Sequence, residues 1–229
     1  MSTEKKSTTE LVSVSLVIGF VAAVAALIFF AWLTDEVLEG DSQRFDEVTR
    51  LAVHQFASPA MTRVMRGISF LGDSLFLTLA TAAVVIWFVM KQWKREAKLF
   101  VVTMIGASLL NLTLKLAFRR PRPVPYFNLL PPESFSFPSG HSLASCCFYG
   151  ALAALLAARI QRQRVRVALW IFAVTMFLLI GLSRIYLGVH YTTDVIAGFA
   201  AALIWIMVVR FVELQLARRK RRSSLRLGG

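Results

Sequence analysis

The chain has 229 residues, of which 57% are hydrophobic and only 17% charged, with a mean hydropathy of +0.63. Soluble domains lie nearer about 45–50% apolar and about a quarter charged, so this composition excludes a disordered chain and argues against a water-soluble globule. A formal net charge of +13 could mark a nucleic-acid binder, and where that charge sits decides between nucleic acid and membrane.

In chain order, stretches approaching the roughly 20 apolar residues that a bilayer requires predict an all-α, polytopic membrane protein. It reads as one domain over 1–229, a bundle of six transmembrane helices. The spans are placed at about 11–33, 68–90, 99–118, 142–158, 167–183 and 195–213, followed by a basic tail over 214–229. The first is longer than the roughly 7–15-residue core of a signal peptide, and acids rather than a small-residue cleavage site follow it, so it is read as an uncleaved span. The last three have short apolar cores, which flanking polar residues must extend. Cys146 and Cys147 are adjacent in an apolar run without ligand spacing, and read as buried small hydrophobes rather than a disulfide framework or a metal site.

Lysine and arginine set the orientation. With the amino terminus inside, segments 1–10, 91–98, 159–166 and 210–229 carry 17 of the 26 basic residues and four acids; the other side carries nine of each. Both termini are therefore expected in the cytoplasm, and the net positive charge lies wholly on that face. The cluster Arg218 to Arg222 reads as a topogenic or lipid-headgroup patch rather than a nucleic-acid arm.

Three segments fall outside. In 34–67, Phe45, Val48, Ala52 and Phe56 recur at helical spacing, which predicts a short amphipathic helix on the outer surface or a cap over the bundle. Segment 119–141 holds six of the seven prolines and is predicted to be an ordered, irregular loop. Segment 184–194 is short.

Charged groups converge at these outer ends, where ionisable residues are functional candidates. Span three ends in Lys115, Arg119, Arg120 and Arg122-Pro123; span four opens with Pro138-Ser139-Gly140-His141; between spans five and six lie Ser183-Arg184, His190 and Asp194. Lys115, Arg122 and Arg184 form a cation excess suited to an anion, and arginine geometry matches phosphate oxygens. Ser139 can cap the helix that follows, and Gly140 lets backbone N–H groups approach an anion. His190 and Asp194, four apart, share a helix face if span six begins near His190, so the carboxylate can fix the imidazole tautomer and leave the other nitrogen as a nucleophile. His141 suits general acid–base work. Arg119 and Arg120 read as snorkelling anchors, and His54, with no motif around it, as non-catalytic.

On these residues the chain resembles the type-2 phosphatidic acid phosphatase family. Its three-part signature is met by Lys115 with Arg122-Pro123, by Pro138 to His141, and by Ser183-Arg184 with His190 and Asp194; Arg120-Pro121 stands at the wrong spacing. The resemblance implies a phosphatase that needs no metal and no cofactor. In it His190 attacks phosphorus to form a phosphohistidine, Asp194 orients His190, and His141 protonates the leaving oxygen and then activates water. Lys115, Arg122, Arg184, Ser139 and Gly140 hold the phosphoryl oxygens. A site at the outer face of the cell membrane suits a lipid phosphate: undecaprenyl pyrophosphate, phosphatidylglycerophosphate, phosphatidate or lipid A. Two other readings remain open. One is vanadium-haloperoxidase chemistry on the same site, which six spans disfavour because those enzymes are soluble. The other is a non-enzymatic anion transporter, disfavoured because transporter sites lie near the midplane.

Overall fold

A computed structural model describes residues 21, 23–129 and 133–227, with side chains placed up to 219. Eight helices and no strand occur among the described residues. They are α1 (23–39), α2 (Gln43–His54), α3 (Pro59–Phe70), α4 (Ser74–Met90), α5 (Lys94–Phe118), α6 (Gly140–Ala157), α7 (Gln163–Tyr186) and α8 (Thr192–Leu227). Residues 11–20 and 22 of the first predicted span, and Arg221 and Arg222 as side chains of the basic cluster, lie outside this description.

Among the described residues, four helices are long and apolar enough to cross a membrane: α5, α6, α7 and the Thr192–Arg219 part of α8. A fifth crossing arises if α3 and α4 count as one span bent by 47°. The bend falls at Leu71–Asp73, inside the span predicted over 68–90, because Asp73 restarts the helix: its carboxylate accepts the Leu75 N–H at 2.9 Å. Helices α7 and α8 run past the short apolar cores predicted for spans five and six into polar flanks, most of all α8, whereas α6 adds only Gly140 and His141 to the core predicted for span four.

Helix α6 is the axis of the bundle. Leu143, Cys146, Cys147 and Phe148 are buried there among residues from α4, α5, α7 and α8, and both cysteines are free. The opposite pattern holds outside, where Leu75, Leu79, Ile105, Leu109, Leu112, Ile171 and Phe172 are exposed. An all-round apolar surface of this kind is what acyl chains solvate.

The helices alternate in direction, so the end of α5, the start of α6, the end of α7 and the start of α8 meet at one end. At the far end, Glu96 of α5 pairs with Arg159 at 2.8 Å, and Glu213 of α8 joins Arg210 at 2.5 Å and also Arg95. Helix α2 packs on α7 and α8, and α3 on α7. Helix α2 is amphipathic as predicted, and it is also a cap. Phe45, Val48 and Leu51 point outward, whereas the polar Asp46 and Arg50 are buried against the bundle.

Candidate active site at one end of the bundle

Each functional side chain is delivered by a chain break at a helix end. Helix α5 stops at Arg119, which adopts the left-handed conformation (φ 47°) while its N–H still reaches the Lys115 carbonyl at 3.0 Å. Pro121, Pro123 and Pro125 then forbid further helix. In the extended segment that results, alternate side chains share a side, so Arg120 and Arg122 both turn inward while Arg119 and Pro121 are exposed. Ser139 caps α6: its hydroxyl accepts from Ser142 N–H at 3.4 Å and from the Ser142 hydroxyl at 3.0 Å. Between α7 and α8 the chain turns at Gly188, which has φ +72° and would bring a Cβ within 2.8 Å of the Tyr126 backbone nitrogen. The Tyr126 N–H donates to the Leu187 carbonyl at 3.1 Å, which docks the proline-rich loop on this turn.

The structure brings the three signature segments together. His190 is buried, with Nδ1 3.2 Å from Asp194 Oδ2 and Nε2 3.0 Å from Arg122 Nη1. Arginine has no acceptor, so Nε2 carries the lone pair and Nδ1 the proton. Nδ1–H therefore donates to Asp194. The same carboxylate oxygen accepts the Ser136 hydroxyl at 2.5 Å and the Tyr191 N–H at 2.9 Å. Burial drives the His190 pKa down to about 3; Asp194 opposes this and Arg122 and Arg184 reinforce it. The imidazole is thus neutral, as a nucleophile requires.

The cations face one another across this site. Lys115 is buried and donates to the Phe135 carbonyl. Arg122 donates from Nε and Nη2 to the carbonyl and hydroxyl of Ser134, at 2.6 and 3.0 Å. Arg184 donates to the Ser69 hydroxyl at 2.5 Å, and its Nε is buried without a hydrogen-bond partner among the described residues. Arg184, Arg122 and Lys115 all lie close enough to His141 to act on it electrostatically, as does His190. His141 itself is half-buried in the first turn of α6. Gly140 fits against the Asn111 side chain of α5, 3.0 Å from where a Cβ would stand. The Ser139 N–H donates to the Asp194 carbonyl at 2.9 Å, which ties the start of α6 to the start of α8.

Two residues alter the expected picture. Arg120, read from the sequence as an anchor at the wrong spacing, is no snorkelling residue. It is mostly buried and donates to Asp194 Oδ1 at 2.7 Å and to Asp46 Oδ2 at 2.8 Å, with its guanidinium 4.2 Å from the centre of the Tyr191 ring. Burial works against the charge of both arginines: it leaves Arg122 below the usual arginine range, whereas Asp194 and Asp46 lift Arg120 above it. Asp46, which no motif singles out, is fully buried beneath the cap. One signal for it existed in the sequence: Asp46, Thr49 and Arg50 form a polar face beside the apolar stripe of the same helix. His54 stacks on Tyr126 at 3.9 Å, a packing role outside the charged cluster.

The chain is similar to known proteins. The family model for the PAP2 superfamily matches residues 96–216, which include every motif above. Phosphatidylglycerophosphatase B of Bacillus subtilis (strain 168) is 32% identical over 198 residues, covering 85% of this chain and 96% of that protein. Undecaprenyl-diphosphatase BcrC of the same organism is 29% identical over 151 residues, 63% of this chain and 73% of that protein. Among solved structures, the transmembrane PAP2 type phosphatidylglycerolphosphate phosphatase from Bacillus subtilis superposes with a TM-score of 0.78 at 30% identity, over 84% of this chain and 96% of that one.

Proposed function

The chain belongs to the PAP2 superfamily and is a membrane lipid phosphatase; from that premise we propose that it works without metal, through a phosphohistidine on His190. The observation that carries the mechanism is His190 held between Asp194 and Arg122, with the lone pair of Nε2 turned toward the cations.

The headgroup draws Arg122 from Nε2 onto a phosphoryl oxygen, and Lys115, Arg184 and the start of α6 take the others. Nε2 then attacks phosphorus as the bond to the leaving oxygen breaks, and His141 gives that oxygen its proton. The imidazolium formed is balanced by Asp194 at Nδ1. In the second half His141 takes a proton from water, whose oxygen attacks phosphorus. The P–N bond breaks, and phosphate and neutral His190 are released. Fixed cations stabilise the charge on the equatorial oxygens throughout.

The substrate class is a lipid phosphomonoester or pyrophosphate. Likeness over 96% of a phosphatidylglycerophosphatase makes phosphatidylglycerophosphate the first candidate, with undecaprenyl pyrophosphate and phosphatidate beside it. The test is the purified protein against a panel of these lipids: kcat/KM ranks them by transition-state discrimination. Release of phosphate from none of them would end this reading.

The proposal includes six spans, with α1 as part of the first, both termini in the cytoplasm, and the site at the extracytoplasmic face of the cell membrane. Its support is that Lys94, Arg95 and Arg159 stand at the opposite end of the helices that carry the site. A reporter fused after Gly229 should read cytoplasmic; an extracytoplasmic signal would invert the placement.

A further inference from the structure

Asp46 belongs to the helical cap, outside all three signature segments, yet it bonds to the residues that hold the nucleophile's partner. We propose that Asp46 is a positioning residue for His190, acting through Arg120, Thr193 and Asp194. The inference rests on the role of His190 proposed above.

The chain of contacts is continuous. Asp46 Oδ1 accepts the Thr193 N–H at 2.9 Å, and Oδ2 accepts the Thr193 hydroxyl at 2.7 Å and Arg120 Nη2 at 2.8 Å. Arg120 Nη1 in turn donates to the Thr193 hydroxyl oxygen at 2.8 Å and to Asp194 Oδ1 at 2.7 Å. Asp46 and Asp194 each lie 74 residues from Arg120 in the chain, so only the folded protein assembles the cluster. Both carboxylates are fully buried. Helix α2 is fastened at a second point by the Thr49 hydroxyl, 2.6 Å from that of Thr192.

Two effects follow from this geometry. First, Asp46 caps the amide end of α8 at Thr193, a donor that would otherwise be buried unpaired, and so fixes the turn on which Asp194 stands. Second, one guanidinium is shared between two carboxylates. Without Asp46, Arg120 faces Asp194 alone and draws more of its charge, which weakens the hold of Asp194 on the His190 Nδ1–H. Groups that orient a metal ligand from behind commonly matter by about 10–100-fold, and Asp46 holds a comparable place behind Asp194, the residue that orients His190. The helical cap is thereby part of the machinery that sets the nucleophile's tautomer.

The chain has three histidines, so ¹⁵N-histidine spectra of the full-length protein in detergent micelles can resolve His190. We compare wild type, Asp46→Asn, Thr193→Val and, as a control, Glu47→Gln, which alters an exposed residue paired with Arg50. Wild type should show the Nδ1–H form of His190. Asp46→Asn should show a mixture of tautomers, with kcat for a lipid phosphate lowered about 10–100-fold and KM changed less than about threefold. Glu47→Gln should match wild type in both. If Asp46→Asn does not fold, Thr193→Val, which keeps the shape and removes the shared hydroxyl, carries the same expectation. A folded Asp46→Asn or Thr193→Val whose His190 signals match wild type overturns the proposal. Because the tautomer is read without turnover, failure of the lipid phosphatase reading shows separately, as absence of phosphate release from wild type.

Discussion

Arg122 donates to Nε2 of His190 at 3.0 Å, so this cation covers the atom that the proposed mechanism makes the nucleophile. The contact fixes the reactive tautomer, because an arginine can only donate. In the proposed mechanism an anion must draw the guanidinium away before that nitrogen is free to attack, and Lys115, bonded to the Phe135 carbonyl, must likewise exchange that partner for a phosphoryl oxygen.

Replacement of the nucleophile is the first prediction. His190→Ala should lower phosphate release by at least about a thousandfold, since covalent catalysis has no substitute in the site. Circular dichroism and detergent extraction should be unchanged. Full activity in this variant would defeat the nucleophile assignment.

Arg122→Lys tests the fork. A lysine carries the charge but cannot hold Ser134, Val189 and His190 at once, as Arg122 does. We expect kcat/KM to fall about a hundredfold. A loss under about threefold would show that Arg122 acts as a point charge only.

The depressed pKa of His190 gives a pH signature. Burial is its main cause and takes it from 6.5 to about 3. Between those values the unfolded chain holds a proton at this site and the folded chain does not. Stability is therefore lost as pH falls, by up to about 1.4 kcal/mol per pH unit from this group. Denaturation followed from about pH 7 to about pH 4 should show a shallower decline for His190→Gln than for wild type. Parallel curves would contradict the burial of a neutral imidazole.

Gly198 of α8 lies against the start of α6, where an added Cβ would stand 2.7 Å from the Ser139 carbonyl oxygen and 2.9 Å from Ser142 Cβ. Gly198→Ala must push the two helices apart at the point where the Ser139 N–H meets the Asp194 carbonyl. We expect about 1–3 kcal/mol of destabilisation and a loss of activity in whatever protein stays folded. A melting temperature and kcat equal to wild type would refute this close packing.

Fixed cations take the place of metal ions in the proposed chemistry. A chelator should leave turnover unchanged. Loss of activity restored by Mg²⁺ would overturn the fixed-cation account.

The signature residues were legible because their spacing is local: His190, in the turn just before α8, and Asp194, in its first turn, lie four residues apart, and Lys115, Arg122 and Pro138 to His141 fall at span ends where charge is conspicuous. Arg120 and Asp46 were not legible as a pair, because a contact across 74 residues leaves no periodic trace. Helix α2 shows the other reason. Its apolar stripe was visible, but in a membrane protein that stripe faces outward, and the polar side that would be solvated in a soluble protein is the buried one. The bend before α4 was likewise hidden, because Gly72 and Asp73 interrupt a run whose composition stays apolar on both sides.

The central claim is the covalent intermediate on His190, and trapping it is the most direct test. Wild type mixed with a ³²P-lipid phosphate, and quenched without acid within a single turnover, should carry label in an acid-labile, base-stable bond on the peptide bearing His190. Turnover of that lipid by wild type, with no labelled protein at any time point, would contradict the account.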